Sequence, residues 1–467
     1  MKRLTTLLMA LCMVMGTAAM ASALEVQVSG VWDTSFRFND NLGFSEEDEN
    51  DHFDARSRFR PQIEFIASEN LRGVLQLQIG SIGWGDEKQG GALDTTSTSA
   101  TVRRAYIDWN VADTSLNFKI GLQNLSFPSA TRGNPFFGAN VAGIIGTVGF
   151  TDEVSMNAFW ARPFRNTDAD KLKDNDMDLF GLVLDVNMDS FSISPWFAYA
   201  SIGGQSGYWE YFNNYTWGTS SSAGAYGAKG NTDVYATGLA LKLVPVENLT
   251  IGLDAMYAKM DNDEYSKDNF GSRYYAIEGD GYYMALTVDY AMDWGTPGIF
   301  AWYSSGDSNS DQRNAKFGRM PSLGFDNGVA MTRMGFMGSY GHGMDSVVTA
   351  TGTGTWGVGL QIADVSFVEK LSHTARVAYY EGTNAKSEPS DWLVGAFGDS
   401  IYLTKEDYAF EVNFDTQYQI YENFTAVLEL GWIYMDLDNK TFEYRKRQPD
   451  GVDENAYNAN LILRYAF

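Results

Sequence analysis

The stretch from Tyr457 to Phe467, YNANLILRYAF, alternates apolar and polar side chains up to its last residue. The odd positions are all apolar and comprise Tyr457, Ala459, Leu461, Leu463, Tyr465 and Phe467. The even positions Asn458, Asn460 and Arg464 are polar, whereas Ile462 and Ala466 are exceptions. Because successive side chains of a strand point to opposite faces, this period of two predicts a β-strand with one apolar face.

Residues 408–420, YAFEVNFDTQYQI, follow the same rule, with apolar side chains at nearly all even positions. Alternation alone also fits a soluble β-sandwich or barrel whose apolar face points inward. The connections favour a membrane barrel, because tight turns alternate with long polar loops along the chain. The tight turns repeat a similar pattern at 69–71, 247–249, 369–371 and 422–424, and we place them on the periplasmic rim.

The remaining connections are long and rich in Asp, Asn, Gly and Ser, and we place them outside the cell. They lie at 39–53, 85–99, 165–176, 202–231, 260–277, 305–353, 384–404 and 438–454. The alternating segments lie near 25–38, 54–66, 72–83, 101–111, 115–123, 141–150, 154–163, 178–188, 191–201, 233–244, 249–259, 281–291, 297–304, 355–365, 372–382, 407–420, 424–436 and 456–467. The sequence therefore predicts an all-β fold, a transmembrane antiparallel β-barrel of 16–18 strands. Eighteen is the count, and sixteen stays open because 141–150 and 297–304 are short.

The first residues have the pattern of a secretory signal peptide. Lys2 and Arg3 precede an apolar run from Leu4 to about Met15, and the segment 21–23 reads Ala-Ser-Ala. We expect cleavage after Ala23, which makes 24–467 a single barrel domain. Cys12 is the only cysteine. A chain cleaved after Ala23 therefore has no disulfide or thiolate metal site.

The composition excludes several classes of protein. Removing Lys2 and Arg3 leaves 32 basic residues against 59 acidic ones, so the formal charge becomes 32 − 59 = −27, and nucleic acid is not an expected partner. After residue 23 no stretch approaches the ~20 consecutive apolar residues of a membrane helix. The chain carries 26 Tyr, 29 Phe and 12 Trp, as is typical of a barrel with aromatic girdles.

Several motifs resemble those of outer-membrane porins. The terminal strand ending in Phe467 resembles the signal read by the outer-membrane assembly machinery. Residues 103–109 (RRAYIDW) with 118–123 (FKIGLQ) resemble the hairpin that precedes the constriction loop of trimeric Gram-negative porins. The whole chain, with its start Leu24-Glu25-Val26-Gln27-Val28-Ser29-Gly30, is similar to the homotrimeric porins of sulfate-reducing bacteria. The resemblance implies an outer-membrane homotrimer with lipid and lipopolysaccharide as its surroundings.

The same resemblance makes residues 124–140, NLSFPSATRGNPFFGAN, the candidate constriction loop. This loop contains no acidic residue, unlike the loop of many general porins.

A basic ladder is the candidate functional site. If Phe36 and Phe38 face lipid, alternation points Asp33, Ser35 and Arg37 into the lumen. The same argument aims the neighbouring strands' Arg56, Arg58, Arg60, Gln62, Glu64, Arg104, Tyr106, Asp108, Lys119 and Gln123 inward, and Arg132 of the loop completes the patch. Strands are ~4.8 Å apart, so these side chains form one basic wall. The wall predicts a preference for small anions, unless its arginines only pair with Asp33, Glu64 and Asp108 and stiffen the barrel.

Other features support no catalytic or cofactor role. The acidic segments 46–49 and 261–264 could hold Ca²⁺ but lack EF-hand spacing, so we read them as solvated loops, with bridging to lipopolysaccharide as the alternative. Loop 305–353 is rich in Met and Arg. The sequence leaves three placements open for it: over the pore mouth, against a neighbouring subunit, or only on adjacent loops. His52, His342 and His373 lie in loops or near a turn, and no nucleotide, zinc-protease or hydrolase motif is present.

These observations together predict a water-filled diffusion channel for small hydrophilic solutes in the outer membrane of a Gram-negative bacterium, not an enzyme. The alternative is a structural or adhesive barrel with a closed lumen.

Overall fold

The computed structural model describes most of the chain after the predicted signal peptide. The described residues are 24–44, 52–88, 90–93, 100–165, 176–204, 206–208, 231–262, 266–267, 273–274, 278–308, 316–324, 328–339, 347–349, 351–385, 403–438 and 454–467. The predicted signal peptide and the acidic segment 46–49 lie outside these residues.

Eighteen long strands form the barrel. They are β1 Glu25–Asp40, β2 His52–Ser68, β3 Leu71–Gly83, β4 Ala100–Asn110, β5 Leu116–Ser126, β6 Gly138–Gly149, β7 Val154–Phe164, β8 Met177–Asn187, β9 Phe191–Ile202, β10 Thr232–Val246, β11 Leu249–Asp261, β12 Glu278–Tyr290, β13 Thr296–Ser304, β14 Thr355–Val368, β15 Leu371–Gly382, β16 Tyr408–Tyr421, β17 Phe424–Asp436 and β18 Asn455–Ala466. Two-residue strands at Ser266–Lys267, Arg273–Tyr274 and Lys316–Phe317 lie in the connections.

Each long strand pairs antiparallel with the next, and the last strand pairs with the first. At this seam Asp33 of β1 lies opposite Arg464 of β18. A closed sheet gives the backbone N–H and C=O groups of its strands partners without water, which is the condition for crossing lipid with strands. The predicted count of eighteen strands is confirmed, and the alternative of sixteen is wrong because both short segments are strands, β6 and β13.

The two ends of the barrel differ in their connections. One end has only short turns, at 69–70, 111–115, 150–153, 188–190, 247–248, 291–295, 369–370 and 422–423. The other end carries the long connections, including 127–137 and 305–354. The predicted alternation of tight turns and long loops is confirmed, whereas the assignment of the two ends to periplasm and cell exterior stays a prediction.

The outer face is apolar and carries a row of aromatic side chains near the long-loop end. Register joins Trp160, Phe180, Tyr199 and Tyr235 on β7–β10. The row continues on β11–β17 with Tyr257, Tyr282, Tyr303, Trp356, Tyr379, Phe410 and Tyr434. Aromatic girdles of this kind mark the boundary between lipid and water. Among the described residues no helix is long and apolar enough to cross a membrane.

The inner face is packed on one side of the barrel. Inward side chains of β7–β16 such as Ala161, Ala198, Phe300 and Tyr380 are almost fully buried. They contact residues of connections 127–137 and 305–354, which fold into the barrel and join one apolar cluster with them. Several inward side chains on β2–β5, including Arg56, Arg60 and Lys119, are only half-buried and lie outside this apolar cluster.

Candidate pore and its basic wall

Register brings the predicted ladder of β1 and β2 onto one face. Arg58 lies opposite Asp33, Arg56 opposite Ser35, and Arg37 opposite Asp54. Directly opposed residues of an antiparallel pair share a face, so the three arginines point the same way.

Two carboxylates hold the upper part of this ladder. Asp54 accepts Nη2 of Arg37 at 2.7 Å and lies 2.9 Å from Nη2 of Arg56. Asp33 contacts Nη2 of Arg58 at 3.1 Å and Nε of Arg464 at 2.7 Å across the seam. Each carboxylate therefore bridges two guanidinium groups.

The lower part of the ladder rests on amide side chains. Arg60 donates from Nε to Gln78 Oε1 at 2.7 Å. Arg103 donates from Nη1 to Gln76 Oε1 at 3.0 Å, and Gln76 donates to Gln62. Arg103 belongs to this network because a register shift between Gln76 and Leu77 inserts an extra residue in β4. With Arg104 inward, strict alternation would point this side chain to lipid.

The β3–β5 end of the patch centres on Asp108. Arg72 donates to it from Nη2 at 2.7 Å, Asn117 donates from Nδ2 at 2.7 Å, and Lys119 lies opposite it in register. Arg72 also lies 3.2 Å from Glu64. The sequence argument missed Arg72 and Arg464, because the first follows a turn directly and the second joins the patch only through closure of the barrel.

Arg104 lies apart from these pairs. It is opposite Gln76 in register, yet its Nε donates to Asn140 Oδ1 at the start of β6, at 3.0 Å. Among the described residues no carboxylate lies within salt-bridge distance of Arg104. We call Arg37, Arg56, Arg58, Arg60, Arg72, Arg103, Lys119 and Arg464 the basic wall.

Solvent reaches the basic wall. The side chains of Arg56, Arg464 and Arg72 are 33 %, 33 % and 46 % exposed. Arg37 and Arg58 lie deeper, at 7 % and 11 %. Part of the wall is therefore open to solvent, in contrast to the packed inner face of β7–β16.

The constriction loop covers 127–137, since 124–126 and 138–140 of the predicted range belong to β5 and β6. Phe127 and Phe136 pack on Trp196 of β9, with ring centroids 4.4 and 5.6 Å apart. Beyond these rings, residues 129–131 hydrogen-bond to the buried Asp254 of β11. The loop thus crosses the inside of the barrel.

Arg132 does not complete the basic wall, contrary to expectation. Its guanidinium hydrogen-bonds to Gln361 of β14 and lies 4.4 Å from the ring of Phe300 on β13. β14 is nine strands from β5 in either direction around the ring, so Arg132 reaches the far side of the barrel. Burial, reinforced by the nearby guanidinium of Arg376, lowers the pKa of Arg132 to about 10, which leaves it charged at neutral pH.

The described part of connection 305–354 also lies inside the barrel, and we call it the long insert. It joins the constriction loop through Leu323 N to Phe136 O at 2.7 Å and Ala330 N to Arg132 O at 2.8 Å. Its buried Arg333 contacts Asp415 and Glu429 of β16 and β17. The described part of the insert packs inside the barrel on both the constriction loop and the wall, so it does not pack only on adjacent loops. Contact with a neighbouring subunit stays a prediction.

The histidines form no catalytic group among the described residues. His373 lies near a short turn, with Nδ1 2.9 Å from Thr416 Oγ1 and its ring stacked on Phe414. His52 is exposed and lies 3.6 Å from Asp54, while His342 is outside the described residues. In the part of the chain that the structure describes, no group of three or more His, Cys, Asp and Glu side chains could hold a metal ion.

A closed eighteen-strand barrel with an apolar exterior, a charged inner wall and a loop folded inside has the architecture of a transmembrane porin. No protein-family model matches the chain, and no curated protein is significantly similar to it in sequence.

Solved structures do share the fold. OprD of Pseudomonas aeruginosa is 12 % identical with a TM-score of 0.54 over 96 % of this chain and 97 % of its own. A BenF-like porin of Pseudomonas fluorescens is 10 % identical with a TM-score of 0.55 over 95 % and 98 %. OccK11 (OpdR) of Pseudomonas aeruginosa is 13 % identical with a TM-score of 0.51 over 95 % and 96 %. The fold is thus that of these outer-membrane porins.

Proposed function

We propose that this protein is an outer-membrane diffusion channel for small hydrophilic solutes, with a preference for anions. The observation that carries the proposal is the exposed basic wall beside the otherwise packed lumen. A positive strip along a narrow aqueous path raises the local concentration of anions and lowers the barrier to their entry. Small inorganic or organic anions are the solutes that such a path favours.

The charge balance of the wall supports a net positive field. Among the described residues, Asp33, Asp54, Glu64 and Asp108 are the carboxylates bonded to or opposite its eight basic side chains. These ion pairs hold the arginines in place. Stiffening of the wall and selection of anions are compatible roles, because the same ion pairs fix the guanidinium groups at the edge of the path.

A barrel with a closed lumen is the second candidate, and the two folded-in segments favour it. They fill the side bounded by β7–β17 with buried side chains, including Phe136, Met331 and Phe336. The exposed arginines on the other side argue for an open path. Current through single molecules separates the two functions.

The experiment is to insert the purified protein into planar lipid bilayers and record single-channel current and reversal potential across a KCl gradient. We expect discrete open steps and an anion-directed reversal potential. The variant Arg56→Ala/Arg58→Ala/Arg60→Ala is expected to bring the anion-to-cation permeability ratio close to one. A folded protein that passes no current would support the closed barrel instead.

A matched control removes positive charge from the outer face. Arg162 pairs there with Asp178 at 2.8 Å, and Lys259 pairs with Asp261 at 2.6 Å. The variant Arg162→Ala/Lys259→Ala is expected to keep the reversal potential of the unaltered protein. Equal effects of both variants would reject the basic wall as the selective element.

We further propose a homotrimer that meets through β3–β6. The outward aromatic row near the long-loop end stops at Trp160, and the outward residues at this level of β3–β6 are aliphatic: Leu77, Ile79, Val102, Ile120, Leu122, Ala142 and Ile144. Tyr and Trp belong where a surface meets the lipid boundary, so this arc suits a protein neighbour. Lipid and lipopolysaccharide would surround the rest.

Binding of Ca²⁺ by the acidic loops stays a proposal. Residues 46–49 and 263–264 lie outside the described residues, and Asp261 is engaged with Lys259. We propose no other cofactor.

A further inference from the structure

We propose that Asp254 is the positioning residue of the pore: it holds the tip of the constriction loop in the lumen and thereby sets the width of the passage. This inference rests on the proposed channel function. It concerns a residue on β11, far from the basic wall in sequence and in the sheet.

Asp254 makes a dense set of contacts with the loop tip. Its carboxylate accepts Ser129 Oγ at 2.6 Å, the Ala130 amide at 2.8 Å and the Thr131 amide at 3.1 Å, and it also accepts the Thr131 hydroxyl. Asp254 is 0 % exposed. A buried carboxylate is tolerated only when hydrogen bonds compensate its lost hydration, and here its hydrogen-bond donors among the described residues all come from one loop.

The backbone of the loop lies directly on the β11 strand. A Cβ atom placed on Gly252 would lie 2.2 Å from the carbonyl oxygen of Ala130, so only glycine permits this approach. Gly252 and Asp254 are two residues apart and therefore share the inner face of β11. Together they form a seat for residues 129–131, six strands away from β5, where the loop begins.

The held segment is the part of the loop that faces open space. Ser129 is exposed and residues 130–133 are half-buried, whereas residues 134–139 are buried. Arg132 follows the tether immediately and is fixed by Gln361, Phe300 and the backbone of Ala330. Release of residues 129–131 would therefore widen the passage next to a side chain that keeps its own contacts.

The test compares Asp254→Ala with the unaltered protein in planar bilayers. We expect single-channel conductance to rise, on the order of two-fold, because conductance follows the open cross-section. We also expect the current of the open level to become noisy, because the released residues 129–131 move in the passage. Conductance and noise equal to those of the unaltered protein would overturn the inference.

Asp185→Ala is the matched control. Asp185 is also a strand carboxylate, but it bonds to Asn157 at 2.8 Å and Ser194 at 2.6 Å and has no described contact with the loop. It removes the same charge and should leave conductance unchanged. An equal rise in both variants would contradict a specific tether.

A second variant keeps the test decisive if Asp254→Ala fails to fold. Thr131→Cys/Asp254→Cys, prepared without residues 1–23, carries no other thiol, since Cys12 is the only natural cysteine. Oxidised, the pair should hold the tip and give the conductance of the unaltered protein. Addition of reductant to the same channels should raise conductance. A channel insensitive to reductant, with disulfide formation verified by mass spectrometry, would overturn the tether. A silent unaltered protein would instead refute the channel function itself.

Discussion

Replacing Arg333 by methionine is expected to detach the long insert from the barrel wall. The Arg333 side chain is 2 % exposed, donates from Nε to Asp415 Oδ1 at 2.9 Å and lies 3.1 Å from Glu429 Oε1. Those carboxylates are themselves 6 % and 1 % exposed. Loss of one partner from a buried ion pair costs about 3–5 kcal/mol, because the remaining charge is left uncompensated.

The lower end of that range applies here. Arg376 stays 3.4 Å from Asp415, while Ser339 and Asn460 still donate to Glu429 at 2.6 and 3.0 Å. A loss of about 3 kcal/mol changes the ratio of docked to detached insert by roughly 100-fold. The lost contacts join insert and wall, so the change affects this local equilibrium before the barrel itself.

Trypsin cleavage after Arg319 measures the equilibrium. Met320, on the other side of that bond, is 3 % exposed, and the Arg319 guanidinium is held by Asp307 at 3.0 Å. Where opening and closing are faster than cleavage, the cleavage rate follows the open population. We expect Arg333→Met in detergent micelles to be cut on the order of 100-fold faster than the unaltered protein.

Two further variants test whether the unpaired buried charges cause the faster cleavage. Arg333→Met/Asp415→Asn/Glu429→Gln removes all three charges and should recover much of the protection, since neutral replacements leave no buried charge unpaired. Arg162→Met breaks an outer-face pair and should have no effect. Cleavage of Arg333→Met within about three-fold of the unaltered protein, or a triple variant as labile as the single one, would refute the reasoning.

Two predictions concern the wall and the outer face. Arg103→Ala should lower the anion-to-cation permeability ratio about as much as Arg60→Ala, because both arginines rest on the same row of glutamines; an unchanged reversal potential would mean that Arg103 does not act in the lumen. Ile120→Glu, on the outer face of β5, should convert trimers to monomers in native mass spectrometry, whereas Leu253→Glu on β11 should not; a monomeric unaltered protein would reject the β3–β6 contact.

The strand count followed from the sequence because its causes are local. Alternation such as that of Tyr408–Ile420 and turns such as Glu247-Asn248 act within one hairpin, and every predicted segment became a strand. The register shift beside Gln76 leaves no such local pattern, so the sequence argument did not include Arg103 in the ladder.

The position of Arg132 depends on contacts with residues far away in the sequence. Asp254, which holds the preceding residues, is 125 positions from Ser129, and Gln361 is 229 positions from Arg132. Nothing within the loop specifies those partners. The fold of the long insert has the same origin, since Glu411 accepts the amide of Met334 at 2.7 Å across 77 positions.

The pairing of β1 with β18 affects the order in which the strand pairs of the barrel form. Arg464 meets Asp33 across 431 positions, and Gly30 and Phe467 exchange backbone hydrogen bonds of 2.9 and 3.1 Å. Closing a loop of that length costs about 5 kcal/mol more than closing a two-residue hairpin. The chain therefore gains its last ladder only after all others exist, and until then two long edges stay open to pairing with other chains. Assembly must protect those edges, and a partly opened barrel should come apart first at this seam.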